Sequence, residues 1–245
     1  MVAPLHGIKR IEPGDQLGTI IAEALTGTGI QLKDGDVIVV TQKVVSKSEG
    51  RLVRLDRVKP TRRAVELARE LRKDPKMVEL ALRESTRIVR KGHGVLITET
   101  RHGFVCANSG VDVSNVEEGY AALLPIDPDA SARRIRKSLE KATAKKLAVV
   151  VTDTFGRPWR EGQTDVAVGC SGIAPTEVLE GEKDPYGYLL KVTQPAIVDE
   201  IASAAELVMR KLSLVPVAIV RGVEYSKGES GARSMVRKKS LDLFR

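Results

Sequence analysis

Asp153, Arg157, Arg160 and Asp165 fall within thirteen residues in "VTDTFGRPWREGQTD", which follows the apolar run "KLAVVV" and carries the chain's only tryptophan. A buried strand ordinarily ends in a plain polar turn. Opposite charges and aromatic rings crowded at its exit admit two readings. One is a solvated turn laced with ion pairs; the other is a site that holds a metal and an acidic ligand. The arrangement recurs elsewhere. "VIVVTQKVVSKSEG" places Gln42, Lys43 and Lys47 after an apolar run, and "VCANSGVDVSNVEEG" places Asn108, Asp112 and Asn115 after another. Strand ends converging on one edge would bring Asp112 and Asp153 to one hard cation. Mg²⁺ or Mn²⁺ takes few protein oxygens and completes its shell from substrate, so two carboxylates suffice. Lysine offers phosphate a point charge, and arginine offers a carboxylate a fork. Each segment taken singly is also an ordinary loop.

Other chemistries find no purchase. The sequence contains no GxxxxGK[ST] phosphate loop, no HExxH and no paired CxxC. His6, His93 and His102 accompany no nucleophile motif, so they read as surface or turn residues. Cys106 and Cys170 lack metal-ligand spacing and read as buried thiols. The net charge of +8 invites a nucleic-acid partner, but eight aromatic residues are too few for stacking platforms. Much of the basic charge is explained by "DPDASARRIRKSLEKATAKK", where Ala132, Ile135, Leu139 and Ala142 form an apolar stripe with the basic residues largely off it. A small anionic substrate stays compatible with the charge. The only two asparagines, Asn108 and Asn115, both lie in "NSGVDVSN". Either turn-making or a functional amide accounts for them. Few Asn and Cys beside abundant Lys, Arg and Glu suit a warm-adapted protein.

The elements expected around these clusters alternate without a regular β-α-β rhythm. A helix is expected over Gln16–Thr26, then a buried strand in "DGDVIVVTQK" and a half-exposed one in "RLVRLDRV". Helices follow in "TRRAVELARELRK" and "DPKMVELALRES", the second capped by Asp74 with Pro75 in its first turn. "TRIVRKGHGVLITET" and "HGFVCAN" read as a meander turning at Gly92–Gly94 and Gly103. The basic helix from Asp129 feeds the strand "LAVVVTD"; "TDVAVGCSGI" and "YLLKVT" read as strands, "VDEIASAAELVMRKL" as a helix and "PVAIVRGV" as the last buried strand. The remainder reads as a loop and partly ordered tail. The expectation is an α+β fold, a mixed sheet with helices, forming one compact unit over residues 1–245 with room for two lobes. No stretch suits a membrane span, and the N-terminus lacks the apolar core of a signal peptide, so a cytoplasmic location with no membrane partner is expected.

Taken together, the segments become specific. "GDVIVVTQKVVSKSEGR", "NSGVDVSNVEEG", "LLPIDPDASA", "VTDTFGRPWREGQTDVAVGCSGI", "DPYGYLLKVT", "VDEIASAAELV" and "PVAIVRG" run in this order from end to end. The chain resembles the coenzyme F420-0:γ-glutamyl ligases, and looks closest to the ligase half of the actinobacterial two-domain form. That resemblance implies a fold distinct from P-loop proteins. It also implies a homodimeric, GTP-dependent ligase that joins L-glutamate to F420-0 and then adds further γ-linked glutamates, through an acyl phosphate. Mg²⁺ or Mn²⁺ is implied as the metal, with K⁺ as an accompanying ion. A related ligase acting on another phospholactyl-type acid is the alternative.

Carried over by position, the resemblance assigns Asp112, Asp153 and Thr154 to metal binding. It assigns Ile8, Lys9, Arg10 and Ile11 of "GIKRI", with Gln42, Lys43, Lys47 and Asn115, to GTP. Arg157 and Arg160 would face the acidic substrates. Phe155 and Trp159 either lie against a deazaflavin ring or pack in the core. Two departures stand out. Archaeal members of the family carry a glycine-rich, acidic loop before the last buried strand, which supplies a second-metal ligand. Here that place reads "MRKLSLVP", so one tight metal is expected, with Lys211 near the missing ligand. The two-domain relatives continue past the ligase half into a flavin-reductase-like domain, and that second activity is not expected of these residues.

Overall fold

The computed structural model describes residues 1–243. Its elements are β1 (Val2–Pro4), α1 (Leu17–Thr28), β2 (Val37–Thr41), α2 (Gln42–Ser48), β3 (Leu52–Arg54), α3 (Arg62–Leu71), α4 (Pro75–Arg83) and β4 (Ser85–Gly92). Then come β5 (Val95–Thr100), β6 (Val105–Ala107), β7 (Tyr120–Ala122), α5 (Pro128–Thr143), β8 (Ala148–Arg157), β9 (Arg160–Ser171), α6 (Ile197–Met209) and β10 (Val217–Val220).

The fold is α+β. Its main sheet has the order β1-β10-β2-β8-β9, in which β2 and β8 run parallel and the other neighbours antiparallel. Alternation along these strands separates two cores. Ile38, Val40, Val149, Val151 and Ile219 pack in one cluster with Ile21 of α1 and Leu139 of α5. Val37, Val39, Val150, Ala218 and Val220 pack on the other face with Ile201 and Ala205 of α6. Helices on both faces explain why these strands are apolar throughout. Each fully buried Val or Ile stabilises by about 1.5–3 kcal/mol relative to exposure. A third cluster joins Leu67 and Leu71 of α3 and Val78 of α4 to Leu96 of β5 and Ala121 of β7. It supports the β3-β7 pair and the β4-β5-β6 meander, which carry Asp112 and its neighbours.

Several expectations are met and several are corrected. Asp74 caps α4, its carboxylate accepting the Lys76 N–H, with Pro75 in the first turn. Gln42, Lys43 and Lys47 lie on a helix rather than in a loop, because α2 starts as soon as β2 ends. The strand in "RLVRLDRV" is short and passes into a 3-10 turn at Leu55–Arg57. α5 begins at Pro128, one residue before Asp129, and is capped by Asp127, and Ala142 is exposed beside its buried stripe. Asp129 instead accepts the N–H groups of Cys170 and Ala232, each at 2.8 Å, and so ties β9 to the C-terminal segment. "YLLKVT" forms no strand; a single bridge joins Lys183 and Leu189. β8 does not stop at Asp153 but runs to Arg157 and returns as β9 in a long hairpin. The C-terminal segment contains 3-10 turns at Ala232–Met235 and Lys239–Leu241, and the end of the expected tail lies outside the described residues.

Candidate active site

Because β2 and β8 are parallel, their carboxyl ends point to one edge of the sheet, where β2 ends at Thr41 beside Thr152 and β8 continues past it. Ligand clefts in parallel sheets open beyond such carboxyl ends. A cleft of ≈ 760 Å³ lies here, and its walls include Ile8, Lys9, Arg10, Ile11, Gln42, Lys43, Lys47, Asp112, Asn115, Asp153 and Thr154. All eleven positions assigned to metal and nucleotide thus come together, although they span residues 8 to 154. The end of α6 and the segment after it complete the wall through Glu206, Met209, Arg210 and Lys211.

Local chemistry fixes each side chain. Asp112 is pinned beside β7 by reciprocal backbone bonds with Ala122. Its carboxylate accepts the Ser114 N–H at 2.8 Å and the Ser114 hydroxyl at 2.6 Å, the short-range loop that Asp-x-Ser favours. Lys43 reaches across from α2 to donate to Asp112 Oδ2 at 2.6 Å, and Lys211 Nζ lies 3.9 Å from the same oxygen. Burial works to raise the Asp112 carboxyl, but the bonds from Lys43 and Ser114 outweigh it and hold the group at about 2. Asp153 has the opposite fate. It is half-buried at the cleft floor, and desolvation pushes it up to about 7 against the Thr154 N–H, the field of Lys43 and a 3.5 Å contact from the Gln42 amide. Gln42 is itself held by the Ser46 hydroxyl, which donates to its Oε1 at 2.8 Å. Lys47 donates to the Asn115 carbonyl at 2.8 Å, and burial, then Arg10 and Lys43, lower its pKa. Arg10 pairs with Glu117, and Lys9 with Asp15 at 2.8 Å.

Both asparagines adopt the left-handed conformation, with φ of 52° at Asn108 and 54° at Asn115, and both line the cleft. They are turn-makers placed at the site. Asn108 opens a left-handed run with Ser109 and Gly110, and at Gly110 an added Cβ would meet the Leu124 side chain at 2.8 Å. The run is anchored by the buried Ser109 hydroxyl, 2.7 Å from Thr98 Oγ1 and donating to the Ala81 carbonyl at 2.8 Å. Cys106 and Cys170 are buried thiols, each pushed up by burial to about 12.

The donor set fits a hard divalent cation. Asp153 has few partners for a carboxyl so enclosed, and a cation would favour its charged form. Asp112 already gathers two ammonium groups. The Thr154 hydroxyl donates to Asp165 Oδ1 at 2.7 Å, which leaves its lone pairs free to ligate. Asp112, Asp153 and Thr154 would hold such an ion, with phosphate and water completing its shell.

Arg157 and Arg160 are not in this cleft. They pair across the exposed tip of the β8-β9 hairpin, where the Arg157 guanidinium donates to the Glu161 carbonyl. Trp159 is at the same tip and 78% exposed, while Phe155 packs edge-on against Phe104 with centroids 6.5 Å apart. Conversely, Ser114, Glu117 and Glu206 shape the site without having been singled out. Ser114 had a legible signal in its Asp-x-Ser spacing; the other two are brought in only by the fold. The basic segment after α6 does more than end the helix, since Lys211 faces Asp112 and its carbonyl accepts the Asn115 amide at 3.3 Å.

A family profile described as F420-0:Gamma-glutamyl ligase matches residues 7–222. The chain belongs to the F420-0:γ-glutamyl ligase family. The chain is 44% identical over 244 residues to the coenzyme F420:L-glutamate ligase of Methanothermobacter thermautotrophicus, covering 98% of this chain and 97% of that one. The protein of the same name from Methanocaldococcus jannaschii is 45% identical over 215 residues, or 87% and 86% of the two chains. That from Methanopyrus kandleri is 43% identical over 249 residues, or 100% and 97%. Every one of the eleven cleft positions lies inside the span that the γ-glutamyl ligase profile matches.

Proposed function

We propose that this chain is a ligase that joins the amine of L-glutamate to the carboxyl end of F420-0, and then to the γ-carboxyl of glutamates already added, with GTP and a divalent cation. The observation that carries the reading is one cleft, in a chain of this family, that joins Asp112 and Asp153 to Lys43, Lys47, Arg10 and Lys211. A carboxylate resists attack by an amine until one of its oxygens becomes a leaving group. Transfer of the terminal phosphate of GTP onto that oxygen meets the need, and it calls for positioning and positive charge rather than a protein nucleophile. Lys43 and Lys47 on α2 and Arg10 on the facing wall supply that charge to the phosphates. A divalent ion held by Asp112, Asp153 and Thr154 would supply Lewis acidity at the phosphoryl oxygens. Asn115 and the backbone of Ile8–Ile11 border the nucleotide's path into the cleft. The same architecture would serve another phospholactyl-type acid, which is the runner-up.

A homodimer in the cytoplasm is part of the proposal. Exposed apolar side chains support self-association: Tyr186 and Tyr188 are 96% and 61% exposed, and Val192 is 89% exposed. Among the described residues no helix is long and apolar enough to cross a membrane. The test is direct. Incubate the protein with F420-0, L-glutamate, GTP and Mn²⁺ or Mg²⁺, and follow product masses and GDP. Glutamyl increments matched by GDP support the reading; intact GTP and unchanged F420-0 refute it.

A further inference from the structure

Among the described residues five carboxylates line the cleft: Asp112, Glu117, Asp153, Asp165 and Glu206. Four are accounted for. Asp112 is held by Lys43 and Ser114, Glu117 by Arg10, Asp153 sits among the candidate metal ligands, and Asp165 accepts the hydroxyls of Thr152 and Thr154. Glu206 is different. It is half-buried, and among the described residues its side chain has neither a hydrogen bond nor an ion pair.

Its place in α6 makes the isolation harder to explain by stability. Asp199 and Glu200 occupy the first turn of α6, where the helix dipole favours negative charge, and Asp199 accepts the Ala167 N–H at 2.8 Å. Glu206 occupies the last turn, where the dipole disfavours it, and no basic residue of α6 offsets it there. One turn before it, Ser203 is tied to β9 through the Thr164 hydroxyl at 2.9 Å and the Asp165 carbonyl at 2.9 Å. Just beyond the helix, Lys211 faces Asp112. Glu206 is thus held on a rigid stripe between the two sides of the site.

The substrates of the proposed reaction differ in charge in a useful way. The triphosphate and the acceptor acid are anions, and the cleft meets them with cations. The one cationic group to be bound is the ammonium of L-glutamate, and one cleft carboxylate lacks a partner. We propose that Glu206 holds the α-ammonium of the incoming L-glutamate and accepts the first proton it loses. This rests on the ligase reading above. With the proton on Glu206, the amine attacks the acyl phosphate carbonyl and the C–N bond forms. The C–O bond to phosphate then breaks with its electron pair on the leaving oxygen. The second nitrogen proton goes with the departing phosphate, leaving a neutral amide.

The test separates amine handling from carboxyl activation. Hydroxylamine is an uncharged nucleophile at neutral pH, so it traps an acyl phosphate as a hydroxamate without needing an ammonium site. Glu206→Gln and Glu206→Ala are expected to lower kcat for glutamate ligation about 100-fold. They should also raise KM for L-glutamate about tenfold, against about twofold for GTP, while hydroxamate formation from F420-0 and GTP persists. Glu206→Asp should recover part of the ligation. Thermal unfolding near wild type shows that the variants fold, as expected for removal of a partnerless charge. Unchanged glutamate kinetics in Glu206→Gln, or parallel loss of ligation and hydroxamate formation, overturns the proposal. A wild-type enzyme that makes neither product overturns the ligase reading itself, and that result is visible before any variant is measured.

Discussion

Asp153→Asn should stabilise the metal-free protein, and by an amount that grows with pH. The folded protein holds the Asp153 carboxyl at about 7, against an ordinary value of 3.8, mainly through burial. A carboxyl raised on folding favours the folded state only while it can stay protonated, so its contribution is fully present below 3.8 and lost as pH rises through 7. At about 1.4 kcal/mol per pH unit, the full difference is about 4 kcal/mol. Between pH 5 and pH 8 about 3 kcal/mol of this is lost, and water in the cleft screens it to about 2 kcal/mol. Asparagine is neutral throughout, and every other titrating group is common to both proteins. The gap in Tm between variant and wild type should therefore widen by about 4–8 °C from pH 5 to pH 8. Scanning calorimetry of both proteins in EDTA at stepped pH measures it. A second arm adds Mn²⁺ with a non-hydrolysable GTP analogue, where wild type should gain more than the variant. A Tm gap that stays constant across pH would refute the argument that Asp153 is strained by desolvation.

Three further outcomes follow from the geometry. Lys47→Ala should raise the KM for GTP several-fold more than that for L-glutamate, since Lys47 lies on the wall proposed for the nucleotide; equal changes would show a general disturbance of α2. Wild-type protein should bind one divalent ion tightly with the GTP analogue, and Lys211→Glu should strengthen a second, because a carboxylate would replace an ammonium 3.9 Å from Asp112; calorimetric titration showing two tight ions in wild type would refute this. Gly169→Ala should destabilise by about 3 kcal/mol, as overpacking against fixed backbone does. Its added Cβ would sit 2.4 Å from the Pro128 carbonyl carbon and oxygen. A urea midpoint close to wild type would show that the β9-α5 contact yields.

Much of the frame was legible because the central strands are apolar runs and the helices carry caps and stripes. The errors share a physical origin. "VIVVT" and "QKVVSKS" join without a break, and the β-branched pair Val44–Val45 disguises the helix that carries Lys43 and Lys47. At the other strand, Gly156 and Pro158 suggest an early turn, yet the β8-β9 ladder continues to Arg157. Nearness in sequence is therefore not nearness in space along this hairpin. A strand advances about 3.3 Å per residue, so Arg157 lies roughly 13 Å along the hairpin from Asp153. The Asp112 and Asp153 clusters were recognisable because each adjoins an apolar run, but Glu206 was not. In "VDEIASAAELVMRKL" it reads as one more solvated helix carboxylate, and only the docking of α6 beside β9 turns it toward the cleft.

For the ligase proposed above, the internal contacts that cross the cleft would make nucleotide binding an exchange rather than a simple addition. Arg10, Lys43 and Lys47 already hold Glu117, Asp112 and the Asn115 carbonyl. A triphosphate would have to displace these internal acceptors, so each contact it gained would be offset by one the protein gives up. The displaced Asp112 carboxylate would then be available to a divalent ion. Nucleotide and metal would therefore promote each other's binding, by the same factor in each direction as thermodynamic reciprocity requires. Either alone would meet a protein whose own side chains already occupy part of the place of the other.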